Sequence, residues 1–336
     1  MMTTHTVMLS LVLALYYPFC TAKVKPTMPA WDAPLAELWQ SPDGVGAQSP
    51  SQGPVATRDL FYGPWGPERA PDPGAVYTFV ERKQQGTNPG ITVRDPHGRE
   101  WHVKQPPHTD QGAEGPIEVA LSRVLSAVGY HQPPVYFLPS LTVKDADGTH
   151  VEPGGRFRLT DKSIKAVDTW SWQQNPFVGT RPYQGLLVIL MLFNSSDIKN
   201  ENNILYEVKE PGAAPRHWYV VRDLGTALGE TGRLAPLRGD PDIFERQPFI
   251  LGVKDGVVRF NYHGWHQELL REIDPLDVAF AVDLLQQLTD QQWRDAFRAG
   301  GYQPRVAGRF ITQLHQRIDE ARRVAGEQTL AASPSR

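Results

Sequence analysis

The sequence predicts an α+β protein with two lobes, a β-rich N-lobe and a mainly helical C-lobe. Three short β-rich segments separated by turns lie between residues 76 and 104. A long apolar segment at 182–193 and three segments after residue 275 have the length and spacing of helices. Because strands and helices are segregated along the chain, we expect two layered lobes that meet at a cleft.

Composition sets broad limits on function. The chain has 336 residues, of which 40% are hydrophobic, and this is enough for one large or two small domains with a real core. The formal net charge is −3 and no stripe of Lys and Arg is visible, so there is no electrostatic case for nucleic-acid binding. No apolar run reaches the about 20 residues that a transmembrane helix needs.

The N-terminus has the pattern of a secretory signal peptide. Residues 1–22 carry no Lys, Arg, Asp or Glu, and residues 7–19 are almost continuously apolar. Small residues before Lys23 predict cleavage after Ala22 and export to a periplasmic or extracellular location. The alternative is a wrongly assigned start codon on a cytoplasmic protein. Since Cys20 is the only cysteine, the mature chain would have neither a disulfide nor a Cys-based zinc site.

A Pro- and Gly-rich extension follows the signal peptide and spans residues 23–72. Its scattered tryptophans suggest that parts of it pack on the body of the protein. We place the N-lobe at 73–165 and the C-lobe at 166–325, and we expect a disordered tail at 326–336.

The N-lobe should consist of strands around one helix. The strands are expected at 76–80, 91–95, 100–104, 135–138, 141–143 and 156–159. The helix is expected at 117–128, after Pro116 and before a C-terminal cap at Gly129.

The C-lobe should begin with a buried helix at 182–193, which is apolar on nearly all sides. Two short strands, 204–208 and 218–221, follow it, and the chain after Gly225 should be loop and helix. The later helices are expected at 275–288, 290–299 and 306–324, with Thr289 as an N-cap.

Two polar segments at the ends of predicted elements carry the functional signal. Residues 194–205 read NSSDIKNENNIL, and eighteen residues after Leu205 comes the sequence Asp223-Leu224-Gly225. Phosphoryl transfer requires one carboxylate to orient the nucleophile, together with a second carboxylate and an amide to hold Mg²⁺. Both segments supply these groups in that order. The alternative is a pair of ordinary polar turns, since Asn, Ser and Asp favour turns.

Further polar residues support the same interpretation. Lys104 ends the third strand, and Glu118 lies fourteen residues later on the next helix. We expect Glu118 to be the partner of Lys104, with Glu114 as the alternative partner. Gly86 and Gly90 flank Asn88 between the first two strands, where glycines allow close approach to phosphates. The same glycines would equally suit a plain turn.

Together these residues resemble the atypical protein-kinase-like superfamily, which includes HipA-type and CotH-type bacterial kinases and phosphoinositide kinases. The resemblance covers about residues 76–325 and implies a bilobal kinase-like fold. It implies ATP and Mg²⁺ (or Mn²⁺) as cofactors. The sequence lacks the His-Arg pair that precedes the catalytic Asp in protein kinases, and it has no A-P-E-like segment.

The resemblance also implies roles for individual residues. Asp197 would be the catalytic carboxylate and Lys199 the contact to the γ-phosphate. Asn202 and Asp223 would hold the metal, with Asn203 as an alternative ligand by a one-residue shift. Lys104 would contact the phosphates and pair with Glu118, while Gly86 and Gly90 would help to bind the nucleotide.

The function expected from this set is Mg-ATP-dependent transfer of a γ-phosphoryl group to a hydroxyl acceptor. The acceptor is open and could be a protein, a lipid or a small molecule. Two alternatives from other classes are an exported pseudokinase that binds nucleotide without chemistry, and a binding or structural protein in which the motif is coincidental.

Overall fold

A computed structural model describes residues 36–42, 53–83, 88–106, 114–234 and 236–331. The expected signal peptide at 1–22, the first part of the extension and Gly86 lie outside the described residues.

The described chain contains eleven strands and six α-helices. The strands are β1 (Ala36–Glu37), β2 (Val76–Arg82), β3 (Gly90–Arg94), β4 (Glu100–Lys104), β5 (Val135–Asp145), β6 (Gly148–Leu159), β7 (Ile164–Thr169), β8 (Asn203–Val208), β9 (Arg216–Val221), β10 (Ile250–Lys254) and β11 (Val257–Phe260). The helices are α1 (Glu114–Ala127), α2 (Arg181–Leu192), α3 (Pro241–Arg246), α4 (Pro275–Leu285), α5 (Asp290–Ala299) and α6 (Pro304–Ala331). The predicted α+β class with a β-rich N-lobe and a mainly helical C-lobe is confirmed.

The N-lobe is a closed five-stranded barrel with the strand order β2-β3-β4-β6-β5. Alternate residues point inward, and the barrel core includes the fully buried side chains of Tyr77, Trp101 and Phe157. The two strands predicted at 135–138 and 141–143 are a single strand, β5. Pro139 does not interrupt it because β5 pairs with β2 only from residue 142 onward, so one edge is free at the proline.

Helix α1 begins at Glu114, three residues before the predicted start. Pro116 lies in its first turn, where backbone N–H groups have no partner within the helix, so the proline is tolerated there. This earlier start places Glu114 as well as Glu118 on the helix.

The C-lobe is built around α2, whose residues from Tyr183 to Leu192 are all buried, as the apolar pattern predicted. A four-stranded sheet with the order β1-β9-β8-β7 lies beside it. Strand β7 was not expected, and it crosses the lobe boundary that the sequence suggested at 165/166. The hairpin of β10 and β11 was also not expected, since the sequence indicated only loops and helices after Gly225.

The C-terminal helices follow the predicted order. Thr289 caps α5 in a reciprocal pair with Gln292. Helix α6 continues to Ala331, although a disordered tail was expected from residue 326. A single glycine, Gly326, within a run of good helix formers does not stop a helix. Among the described residues, no helix is long and apolar enough to cross a membrane.

The described part of the extension packs on the body. Strand β1 pairs in parallel with β9, and the Trp39 indole Nε1 donates a 2.8 Å hydrogen bond to the Val128 carbonyl oxygen after α1. Leu38, Val55 and Leu60 are buried in the same core as α2. This segment therefore joins the end of α1 to the sheet of the C-lobe.

Candidate active site

The loop after α2 is held in place by backbone hydrogen bonds before it reaches Asp197. Asn194 adopts a left-handed conformation (φ 55°) that turns the chain out of the helix. The Ser196 N–H then donates to the Thr226 carbonyl oxygen at 3.1 Å. Asn194 is 2% exposed, and its side chain bonds to Gly229 and Arg317, so its N-x-S sequence is no accessible glycosylation site.

Asp197, Lys199 and Asn202 form one polar group in this loop. The Asp197 carboxylate lies 2.7 Å from the Lys199 Nζ. The Asn202 amide Nδ2 donates to the Asp197 carbonyl oxygen at 2.6 Å and to its Oδ2 at 3.1 Å. Because the amide nitrogen is committed to Asp197, the Asn202 Oδ1 is the atom able to face a cation.

Asp223 lies two residues after the end of β9 and has a left-handed conformation (φ 53°). The Arg222 N–H donates to the Asn202 carbonyl oxygen at 3.0 Å, which continues the pairing of β8 with β9 and brings Asn202 beside Asp223. Asn203, the alternative ligand, is fully buried and its Nδ2 bonds to the Trp170 carbonyl oxygen. The geometry therefore favours Asn202.

Lys104 lies among three carboxylates. Its Nζ is 3.0 Å from Glu114 Oε2, 3.4 Å from Asp223 Oδ1 and 3.9 Å from Glu118 Oε2. Lys104 and Asp223 are separated by 119 positions in the chain, so this contact connects the end of β4 with the end of β9. The shortest contact is with Glu114, the residue that the sequence placed in reserve, rather than with Glu118.

Glu114 connects three parts of the protein through its carboxylate. In addition to Lys104, it accepts a 2.5 Å hydrogen bond from Asn88 Nδ2 on the turn between β2 and β3. Its other oxygen lies 2.6 Å from Arg238 Nη1 in the C-lobe. Gly225 packs directly on this residue, since a Cβ added there would lie 2.9 Å from the Glu114 carbonyl oxygen.

Glu118 is one helical turn further along and pairs chiefly with Arg156 on β6. Its Oε1 lies 3.0 Å from Arg156 Nε, and the two side chains are 5% and 3% exposed. Glu118 therefore holds α1 against the barrel and contacts Lys104 only at longer range.

The two predicted glycines cannot both be assessed. Gly90 lines the cleft, but its lack of a side chain already has a structural cause: a Cβ there would meet the Val103 carbonyl oxygen of β4 at 2.7 Å. The role of Gly86 in nucleotide binding stays a prediction.

Electrostatics keep the central pair ionised. Burial opposes the charged form of Lys104, but Glu118, Asp223 and Glu114 outweigh it and raise the pKa of the amine. Burial likewise opposes the charge on Asp223, and the nearby Lys104, Arg222 and Arg156 hold the pKa of its carboxyl below the usual value. Glu118 raises the pKa of Lys104 more than Glu114 does, although Glu114 is closer to the amine. Of the two glutamates, Glu118 is the more deeply buried.

One cleft between the lobes, with a volume of about 790 Å³, is lined by Lys104, Glu114, Asp197, Lys199, Asn202 and Asp223. Glu118 is not among its lining residues. The described lining has seven basic residues against four acidic ones, which suits a polyanionic ligand. The basic residues are Arg82, Lys83, Lys104, Arg156, Arg158, Lys199 and Arg222, and the acidic residues are Glu81, Glu114, Asp197 and Asp223.

The sequence did not reveal every residue of the cleft. Arg222 directly precedes Asp223, and its position at the end of a strand was the only signal available for it. Arg156 and Arg238 reach the site from distant strands and loops, so no local motif identifies them.

The donor set fits a magnesium-bound nucleotide. Asp223 and Asn202 both line the cleft and supply a carboxylate and an amide oxygen, which are oxygen ligands suited to Mg²⁺, and the Asp223 side chain is 39% exposed. Among the described residues there is no group of three or more His, Cys, Asp and Glu side chains arranged as a metal site. Two oxygen donors from the protein leave room for a Mg²⁺ ion to take further ligands from water and phosphate, as this ion usually does.

No protein-family model matches the chain, and no curated protein matches it in sequence. One similar solved structure is the proinflammatory kinase CtkA of Helicobacter pylori, at 12% identity and a TM-score of 0.45, covering 76% of this chain and 98% of CtkA. Another is the Rio2 kinase of Chaetomium thermophilum, solved as an ADP/Mg²⁺-phosphoaspartate complex, at 12% identity and a TM-score of 0.30, covering 73% and 72%. Both likenesses are distant, and the functional assignment rests on the cleft.

Proposed function

We propose that this chain is an atypical kinase that uses ATP and Mg²⁺ (or Mn²⁺) to phosphorylate a hydroxyl acceptor. The observation that supports this proposal is the convergence of Lys104, Asp197, Asn202 and Asp223 on one cationic cleft. Side chains from three separate segments would have no reason to meet if the two polar motifs were only turns.

Each residue has a role that follows from its position. Asp223 and Asn202 would hold the metal, which when bound neutralises charge on the phosphates. Lys104, kept protonated by its three carboxylate neighbours, would bind the phosphate oxygens. Asp197 would orient the acceptor hydroxyl and accept its proton, and Lys199 beside it would stabilise the transferred group.

The proposal is tested by ATP turnover in the mature chain with Mg²⁺ or Mn²⁺, together with nucleotide binding. Asp223→Ala should abolish metal-dependent binding and turnover. Asp197→Ala should keep ATP binding while turnover falls about 10²–10⁴-fold, the usual contribution of a general base.

The exposed Asp147→Ala in the turn between β5 and β6 is the matched control and should behave as wild type. Equal activity in all of these proteins would refute the proposal. Nucleotide binding by the wild type without any turnover would instead support the pseudokinase alternative.

A further inference from the structure

A second cavity, of about 350 Å³, lies away from the cleft and shares no lining residue with it. The extension at 61–73, helix α1, strand β5 and the end of α5 form its walls. Its surface is largely apolar, with Phe61, Pro71 and Leu138 among its lining residues. Such a size and character are typical of a small-molecule site, provided that a few polar groups converge there.

The polar group that stands out in this cavity is Arg123, on the face of α1 opposite the active site. Arg123 is 1% exposed and lies over the rings of Trp65 and Tyr136, at 4.9 Å and 5.1 Å from their centroids. Its Nε donates to the Phe61 carbonyl oxygen at 3.2 Å, whereas its Nη1 is buried without a hydrogen-bond partner.

In the described part of the chain this guanidinium has no ion-pair partner, although Asp59 is near enough to favour its charged form. No carboxylate there lies within ion-pair distance of Arg123, in contrast to Arg156, which has Glu118 at 3.0 Å. Burial lowers the pKa of Arg123 to about 10, so the side chain still carries its charge at neutral pH. A buried cation without a paired anion is costly, and an anionic ligand would relieve that cost.

Tyr136 supplies a second donor on the same wall. Its hydroxyl is buried without a hydrogen-bond partner, and the ring lines the cavity beside Arg123. Burial raises the pKa of Tyr136 to about 12, so the phenol is neutral and able to donate at physiological pH. Two residues that line one apolar space therefore each carry a buried donor without a partner, and one of these donors is charged.

We propose that this cavity binds a small organic acid, whose carboxylate contacts Arg123 and Tyr136 and whose apolar body fills the space against Phe61 and Leu138. A singly charged carboxylate suits the site better than a phosphate. The walls are mainly apolar, and the cavity also contains Asp72, whose negative charge disfavours a doubly charged ligand.

The test compares octanoate with octanol, a neutral probe of the same length, by titration calorimetry on the full chain. Octanoate should bind saturably with one site and at least about tenfold more tightly than octanol, because only the acid can pair with the guanidinium. Tyr136→Phe, which keeps the ring and removes one donor, should weaken octanoate about threefold to tenfold. Arg123→Met should remove the preference for the acid.

Two further variants keep the test decisive. If Arg123→Met does not fold, Ala299→Leu, which reduces the cavity from the α5 side, should weaken both probes. Arg158→Met removes a positive charge from the active-site cleft and should leave octanoate binding unchanged.

The proposal would be overturned by octanol binding as tightly as octanoate, or by the absence of saturable octanoate binding up to millimolar concentration. It would also be overturned by an effect of Arg158→Met as large as that of Tyr136→Phe, since the acid would then occupy the cleft.

Discussion

Replacing Glu114 and Glu118 one at a time by glutamine distinguishes the residue that positions Lys104 from the residue that holds helix α1. Glutamine keeps the size and shape of glutamate, but it removes the charge and replaces one accepting oxygen by a donating NH₂ group. Glu114 lies 3.0 Å from Lys104 Nζ, within hydrogen-bond range, whereas Glu118 lies at 3.9 Å and has Arg156 as its close partner at 3.0 Å.

The expected magnitudes differ between activity and stability. A hydrogen bond to a charged group contributes about 1.5–3 kcal/mol, so Glu114→Gln should lower kcat/KM for ATP about 10- to 100-fold. Glu118→Gln makes no direct hydrogen bond to Lys104 to lose, and its effect on kcat/KM should stay below about tenfold. It leaves the buried Arg156 without its carboxylate, which should lower the free energy of unfolding by about 3 kcal/mol.

The assay measures kcat/KM for ATP and urea denaturation for both variants, with Glu201→Gln as a control on an exposed glutamate in the loop between α2 and β8. We expect Glu114→Gln to cause the larger loss of kcat/KM and Glu118→Gln to cause the larger loss of unfolding free energy. A larger loss of turnover in Glu118→Gln, at unchanged stability, would show that Glu118 is the true partner of Lys104, as the sequence first suggested.

Three other predictions concern separate parts of the chain. Gly225→Ala would place a Cβ 2.9 Å from the backbone of Glu114, so it should lower the melting temperature and ATP turnover together, at a cost of about 1–3 kcal/mol; unchanged melting and turnover would contradict this. Burial lowers the pKa of His131 against the opposing effect of Glu37, so only the unfolded chain takes up this proton just below about pH 6.5. Stability in urea should therefore fall from pH 7.5 to 5.5, and His131→Phe should reduce that slope; an identical slope would exclude His131 as its source. We propose cleavage after Ala22, and N-terminal sequencing of the protein from its host should begin with the following lysine; an intact N-terminus on a cytoplasmic protein would rule export out.

The sequence predicted those strands and helices that have a clear pattern of apolar and polar residues within the element itself. Strand β4 alternates between buried and more exposed residues and α2 is buried along most of its length, so periodicity identified both. Strand β6 begins at Gly148, eight residues before the predicted start, because its first half is exposed and has no apolar pattern. The hairpin of β10 and β11 had a local signal as well, because Asp255-Gly256 is a favoured two-residue turn. Both residues adopt positive φ, at 53° and 75°, as such a turn requires, and this pair was overlooked.

The candidate site also has residues that local motifs predict and residues whose role depends on the tertiary structure. Asp197 and Asn202 lie five residues apart in one loop, and Asp223 stands two residues before Gly225, so short motifs were enough to select them as candidates. The choice between Glu114 and Glu118 could not be made from sequence, since both fall on one helix at a spacing of four and therefore on one face. That choice depends on where the helix starts and on how close its first turn lies to Lys104.

The ion pair of Glu118 with Arg156 holds helix α1 against the barrel, and contacts from outside the barrel fix its two ends. At its beginning, Glu114 forms a 2.6 Å ion pair with Arg238 of the C-lobe. At its end, the extension holds the helix: Arg58 Nη1 donates to the Ala127 carbonyl oxygen at 2.7 Å, and Trp39 bonds to the next carbonyl. These contacts join segments far apart in the chain, so neither helix propensity nor periodicity reports them. Because α1 is fixed at both ends by other parts of the protein, the partner of Lys104 is decided by the tertiary structure rather than by the helix itself.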